Sequence, residues 1–275
     1  MSPERTKQFL DEIATQTGFP ALSEAKMSSL GDPEMSVLIM EEDRIVAVGV
    51  TARHAHGDGS AHHAIETAVI PSMQFPAFEK VVAEAALTLA PVGPISFWSM
   101  RSTLDVALGQ LGFITRRTLT HMVTDLPLVA SRAELRSLAD GEEVELVDIN
   151  NAAFSAHREA SAMTLSEFKM LAREPWFDRS GIIVATHNGK LAGFCWTKVH
   201  PGGEGEIYRI AVDPEAQGLG LGRELVLAGF GHLFAERGVG RGTLWVDGDN
   251  AVAISLYESI GMSSARFNRE FERVG

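Results

Sequence analysis

The segment Gln217-Gly218-Leu219-Gly220-Leu221-Gly222-Arg223 is the part of this 275-residue chain whose residue types and spacing most directly suggest chemistry. It follows a run, Ile207 to Val212, that reads as a strand. It opens a helix in which Leu221, Leu225, Ala228 and Phe230 keep approximate helical spacing. Glycines let backbone N–H groups approach phosphate oxygens with no Cβ in the way, and a helix N-terminus adds exposed amides and a dipole that favours an anion. Strand, glycine loop and helix in that order therefore point to a bound phosphate or pyrophosphate. The stretch Gly218-x-Gly220-x-x-Arg223 half-matches a dinucleotide fingerprint. It lacks the third glycine, sits late in the chain, and has no acidic ribose ligand about 20 residues on beyond a second parallel strand. No Gly-Lys-Ser/Thr closes the loop, which excludes a Walker site.

The elements that must position this loop form a pattern that occurs twice. In the first half, a helical stretch to about Leu30 precedes Ser36 to Met40, a turn at Glu42-Asp43, and Arg44 to Val50, which together read as a hairpin. A third strand ends at Ala68-Val69-Ile70-Pro71, a helix covers Phe78 to Leu89, and Ile95 to Trp98 reads as a buried strand. A short helix ending at Leu111-Gly112-Phe113 leads into an alternating strand, Arg117 to Thr124. In the second half, Gly181 to Ala185 and Leu191 to His200 flank the hairpin turn Asn188-Gly189. The third strand ends in Ala211-Val212-Asp213-Pro214 and the closing helix in Ile260-Gly261-Met262, echoing the first half. The expected fold is thus α/β in two copies: residues 1–130, a linker over 131–142, and residues 143–275.

Composition narrows the possible functions. With 45% hydrophobic and 22% charged residues and no low-complexity tract, the chain is of the soluble globular class. No apolar run approaches the roughly 20 residues of a membrane helix, and Met1-Ser2-Pro3-Glu4-Arg5 lacks a signal-peptide pattern, so a cytoplasmic protein is expected. A net charge of −12 disfavours nucleic acid and anionic membranes as partners, leaving local amides and a few basic side chains to hold any polyanionic ligand. Cys195, the single cysteine, cannot form an internal disulfide, and its place in an apolar strand suits a buried thiol better than a nucleophile. His54, His56, His62 and His63 flank Gly57-Asp58-Gly59 at spacings too loose to argue for a metal, and none is expected. Thr164-x-x-Glu167 reads as a helix capping box, and Asn250 as an N-cap.

The loop, with Val212-Asp213-Pro214 before it and Asp249-Asn250, Tyr257 and Gly261-Met262 after it, resembles the cofactor segment of the GNAT acetyltransferases. Their Gln/Arg-x-x-Gly-x-Gly/Ala pattern is matched by Gln217, Gly220 and Gly222. The resemblance implies two tandem GNAT-like domains, each a mixed, mostly antiparallel sheet flanked by helices, with acetyl-CoA as co-substrate. The implied cofactor contacts are Ile210, Ala211 and Val212 on the strand and Gln217, Gly218, Leu219, Gly220, Leu221, Gly222 and Arg223 in the loop. Asn250, Ala251, Val252, Ala253, Ile254 and Ser255 complete them on the last helix. Asn150-Asn151-Ala152-Ala153-Phe154, Trp176-Phe177-Asp178, Gly193 to His200 and Gly205-Glu206-Ile207-Tyr208 are more particular, and resemble the mycothiol synthases over nearly all of 143–275 and more thinly over the first half. That family acetylates the cysteinyl amine of cysteinyl-glucosaminyl-inositol, the last step of mycothiol biosynthesis.

By position, the resemblance makes Glu206 the base and an acceptor ligand, Tyr257 the acid facing the departing thiolate, and Glu24, Glu159, Lys198 and Trp245 further acceptor contacts. Trp245 departs from the family pattern, which usually has tyrosine there. The first half departs more: Ser72-Met73-Gln74-Phe75-Pro76 carries no glycine that could close around a pyrophosphate. Thr67, Ala68 and Val69 are left as vestigial cofactor contacts, and that half as scaffold and acceptor wall. A monomer acting on a small-molecule amine is expected. A GNAT enzyme with another amine acceptor and a non-catalytic acetyl-CoA sensor would share the same cofactor loop.

Overall fold

The computed structural model describes residues 3–27, 29–55, 61–90, 93–155 and 163–273. In chain order come α1 (Pro3–Thr17), α2 (Glu24–Met27), β1 (Ser36–Glu41), β2 (Arg44–Ala55), β3 (Ala61–Val69), α3 (Pro76–Leu87), β4 (Ile95–Ser99), α4 (Ser102–Gln110) and β5 (Phe113–Asp125). There follow β6 (Arg136–Ser137), α5 (Glu143–Ala153), α6 (Leu165–Leu171), β7 (Ile182–His187), β8 (Lys190–Val199) and β9 (Gly205–Val212). The chain closes with α7 (Leu221–Ala235), β10 (Arg241–Asp247), α8 (Ala251–Ser259) and β11 (Ser263–Arg273). Contacts group these into two units, Met1–Thr118 with Phe267–Gly275, and Leu119–Arg266. The division at 131–142 follows the repeat of elements along the chain, whereas the contact grouping follows strand pairing.

Both units use one pairing order. In the first, β1, β2 and β3 form an antiparallel meander, β4 joins β3 in parallel, and the C-terminal part of β11 lies antiparallel to β4, Phe271 opposite Phe97. In the second, β6 to β9 are antiparallel, β10 joins β9 in parallel, and the C-terminal half of β5 lies antiparallel to β10. Each unit is therefore a mixed, mostly antiparallel sheet with helices, and its last strand comes from a segment far along the chain.

Local chemistry accounts for the element ends. The N-terminal helix stops at Thr17 rather than running to about Leu30, because Gly18 adopts φ +78 and donates its N–H to Ala14 C=O at 2.8 Å, and Pro20 follows. Asn188 and Gly189, at φ 52 and 77, make the hairpin turn between β7 and β8. Thr164 and Glu167 form the full capping box at the start of α6.

Two cores flank the sheet of the second unit. On one side Leu225, Phe230 and Leu233 of α7 pack with Cys195, Ile207, Leu244 and Tyr257, and on the other Phe168 of α6 gathers with Phe194, Trp196 and Ala211. The approach of α7 is set by Gly229, where a Cβ would meet Cys195 Sγ at 2.5 Å and Ile207 Cδ1 at 2.8 Å. Only a residue without a side chain lets the helix seat this closely, and the seating fixes where its N-terminus, and so the glycine loop, must lie. Cys195 is fully buried there and burial pushes its thiol pKa up, which leaves it no nucleophilic character.

Candidate active site

The two parallel strands of the second unit separate partway along. β10 pairs with β9 only from Gly242 opposite Gly205 to Leu244 opposite Ile207, so a fork opens at Tyr208. On its other side β9 stays paired with β8 to its end, with one irregularity between Trp196 and Thr197 that leaves Tyr208 without an opposite residue, a bulge that bends β9 where the fork begins. Asp213 N–H donates to Ala192 C=O at 2.9 Å. In that antiparallel register Ala211 also turns its amide toward β8, while Ile210 and Val212 turn theirs into the fork. Of the three strand residues expected to receive a ligand, two thus turn their amides away from β8 and into the fork.

The loop lies beyond the open end. Gly218 and Gly220 adopt φ +79 and +78, and Gly220 is the N-cap of α7 with no side-chain cap, so the first amides of a 15-residue helix stay available to an anion. A Cβ at Gly220 would meet nothing within 4 Å, which makes its backbone conformation, not crowding, the reason for glycine. Arg223 Nη1 donates to Ser259 Oγ at 2.9 Å, and a Cβ at Gly222 would lie 3.7 Å from Leu256, so α8 stands beside the start of α7. Asn250 caps α8, its Oδ1 accepting from Ala253 N–H at 3.0 Å. Tyr257 on the same helix is buried in the cluster that includes Ile210 and Val212. Burial, with the neighbouring Cys195 second, pushes its phenol up to about 12, so it holds its proton throughout the neutral range.

At the closed end of the fork Glu206 lies opposite Lys198 on β8 and Thr243 on β10, and residues opposite one another share a face. Trp245, two residues after Thr243, and His121, its partner on β5, extend that face, their ring centroids 4.6 Å apart. Lys198 is buried with Nζ 4.6 Å from the Trp176 ring centroid and 5.6 Å from that of Tyr208, an ammonium held against aromatic faces. Glu206 retains 13% side-chain exposure and its Oε2 lies 2.7 Å from His200 Nε2, the imidazole being 34% exposed. The arrangement can therefore take a proton at Glu206 beside a fork whose amides can hold an extended ligand.

The corresponding place in the first unit is filled by its own side chains. Here β3 and β4 pair from His63 to Glu66, and beyond that point Arg101 donates to Thr67 C=O and Thr67 Oγ1, both at 2.8 Å. The same guanidinium makes a bidentate pair with the fully buried Glu79, at 2.7 and 2.9 Å, and Gln74 Nε2 donates to Val69 C=O at 2.9 Å. Thr67 and Val69 thus have their outward carbonyls engaged internally. Of the remaining expected contacts, Glu159 and the side chain of Glu24 lie outside the described residues; so do His56 and the side chain of His54 from the histidine group for which no metal is expected.

The model of the acetyltransferase (GNAT) family matches residues 144–262, which contain the fork, loop, Glu206 and Tyr257. A mycothiol acetyltransferase of Thermomonospora curvata is 35% identical over 92% of this chain and 88% of its own length. One from Nocardia farcinica is 33% identical over 99% and 94%. The chain belongs to the mycothiol acetyltransferase family. Among solved structures, a GCN5-related N-acetyltransferase from Sphaerobacter thermophilus superposes with a TM-score of 0.76 at 16% identity, covering 99% of this chain and 93% of that one. A tandem GNAT protein from the clavulanic acid biosynthesis pathway gives 0.67 at 16%, covering 98% and 94%, so the fold is the tandem GNAT fold. As a member of this family the chain is an acetyltransferase.

His121, His200 and Arg266 stand beside these candidate residues and were not singled out from the sequence. Each is joined to a candidate residue only through tertiary pairing: His121 across a strand pair to Trp245, His200 by a hydrogen bond to Glu206, and Arg266 with its guanidinium 5.4 Å from the Trp245 ring centroid. His121 is buried, its Nδ1 has no hydrogen-bond partner among the described residues, and its pKa is lowered to about 4, first by burial and then by Arg266, Arg241 and His200. A lowered histidine pKa leaves stability untouched above about 6.5 and removes it as pH falls from there toward 4, because the unfolded chain binds the proton first. Replacing His121 with leucine is expected to abolish a loss of about 2 kcal/mol between pH 7 and 4.5. Urea unfolding at the two pH values checks this, and an equal loss in the variant would remove His121 as its source.

Proposed function

We propose that this chain transfers the acetyl group of acetyl-CoA to the cysteinyl amine of cysteinyl-glucosaminyl-inositol, completing mycothiol. The observation that carries the reading is the fork between β9 and β10, with the amides of Ile210 and Val212 turned into its open side and the Glu206 carboxylate at its closed end. The name its relatives carry, mycothiol acetyltransferase, supports an acceptor on the way to mycothiol.

The residues present fit acetyl-CoA. The amides of Ile210 and Val212 suit an extended pantetheine arm, and the left-handed Gly218 and Gly220 with the uncapped start of α7 suit its pyrophosphate. When bound, the cofactor supplies a thioester carbonyl activated for attack by an amine. Glu206 relieves the acceptor of its ammonium proton, and an α-amine with a reference pKa of about 8 asks only modest basicity of it. Tyr257, protonated at all working pH values, stands to hydrogen-bond or protonate the leaving sulfur. Lys198, Trp245 and His121 form the acceptor wall on the same face as Glu206.

One acetyl-CoA site per chain is expected, because Arg101 and Gln74 engage the outward carbonyls of the first unit. Calorimetry should give a stoichiometry of one, and Gly220→Val should weaken binding about tenfold or more, since a β-branched residue in the left-handed region costs of order 1–3 kcal/mol and re-aims the amides. Two equivalent sites, or unchanged affinity in a folded Gly220 variant, would contradict the assignment. For the acceptor, kcat/KM across a panel of amines tests the reading: cysteinyl-glucosaminyl-inositol should exceed aminoglycosides and peptide N-termini by orders of magnitude. Acetyl-CoA binding without turnover of any amine would favour a sensor.

A further inference from the structure

We propose that His200 is the positioning residue of Glu206, fixing one carboxylate oxygen so that the other meets the acceptor's ammonium; the inference rests on Glu206 acting as the base. His200 follows the last residue of β8 and is held by its own backbone, its N–H donating to Glu204 C=O and its C=O accepting from Gly203 N–H, both at 2.8 Å. The turn between β8 and β9 therefore presents the imidazole to Glu206 six residues on, and Nε2 lies 2.7 Å from Oε2. A contact this short requires a proton between the two atoms, and a carboxylate that is to serve as base brings none of its own, so Nε2–H donates and Oε2 is occupied. Among the described residues Oε1 has no hydrogen-bond or ion-pair partner, and Glu206 shares its face with Lys198, Thr243, Trp245 and His121.

A carboxylate on a flexible two-carbon stem is a poor base unless its rotamer is held, and a third group that orients the base is the general solution. The neighbouring side chains are occupied otherwise. Lys198 is stacked on Trp176, Arg241 pairs with Glu204 at 3.3 Å, and Arg266 lies against the Trp245 ring. His121 on β5 is neutral at working pH. The imidazole is thus the group that sets Glu206. In the transfer one ammonium N–H bond breaks as an O–H bond forms at Oε1, while the Nε2–H contact to Oε2 persists. The freed nitrogen bonds the acetyl carbon as the thioester C–S bond breaks, and the sulfur leaves as CoA thiol, protonated through Tyr257 at the expense of the second proton that the nitrogen gives up.

Acetylation rates of four variants test the assignment. His200→Ala should lower kcat about 10- to 100-fold with acetyl-CoA affinity unchanged, and His200→Gln, whose amide N–H can reach the same oxygen, should recover most of it. His200→Ala added to Glu206→Gln should cost nothing further, because its effect runs through the carboxylate. A wild-type rate in His200→Ala, no recovery in His200→Gln, or a full additional loss in the double variant would each overturn the proposal. If the wild type acetylates a different amine instead of cysteinyl-glucosaminyl-inositol, the acceptor reading fails while the same comparison, run on that amine, still decides the role of His200.

Discussion

Glu206→Gln is expected to lower turnover roughly 10²- to 10⁴-fold, the range over which a positioned general base acts, with acetyl-CoA affinity nearly intact. The substitution keeps the length and planarity of the side chain and can still meet His200, so strand pairing with Lys198 and Thr243 should survive. It removes only the ability to accept a proton. The acceptor's own α-amine titrates near pH 8, so an acidic limb of kcat/KM that survives in the variant belongs to the amine, and one that disappears belonged to Glu206. Near-normal turnover in the folded variant would remove Glu206 from the mechanism and hand its part to a chain of water.

Tyr257→Phe is expected to slow turnover by roughly 10²-fold through the departure of the thiolate, leaving acceptor affinity unaltered. The reason lies in burial: the phenol is pushed up to about 12, so it is a proton donor at every pH at which the enzyme works. A basic limb near pH 9 or 10 therefore does not report its ionisation, and the variant should reproduce whatever basic limb the wild type shows. The phenyl ring keeps its place in the apolar cluster that also holds Leu225, Ile210 and Val212, so the unfolding midpoint should move little. Pre-steady-state measurement of CoA release separates this effect from loss of the base. A variant that releases CoA at the wild-type rate would show Tyr257 to be a core residue only.

The parts of this account that the sequence made legible are those whose physics is local. Gly218, Gly220 and the start of α7 are contiguous, and the need for left-handed backbone before a helix is written in the residue types themselves. The hairpin at Asn188-Gly189 and the capping box at Thr164 are legible for the same reason. What alternation in Arg117 to Thr124 could not reveal is the neighbour of that strand: period two announces a strand and its buried face, while pairing with β10 is a long-range choice. The same holds for β11 beside β4.

His121 entered the site only through that pairing, and His200 only through the turn that folds it back on Glu206. The first unit was read correctly as lacking a glycine loop, but its filling was not visible, because Arg101 and Glu79 are 22 residues apart and meet only when α3 packs on the sheet. Lys198, expected as an acceptor contact on a strand, proved to be buried against Trp176 and Tyr208, where aromatic faces hold its ammonium in place.

The most direct test of the central claim is the product of a reaction containing only this protein, acetyl-CoA and cysteinyl-glucosaminyl-inositol, followed by mass spectrometry with a thiol reagent added at each time point. One acetyl group per acceptor is expected, placed on the cysteinyl nitrogen, with the thiol still free to react with the reagent and one CoA released per product. Acetyl on sulfur, CoA release without acetylated acceptor, or no reaction under conditions in which acetyl-CoA is bound would contradict it.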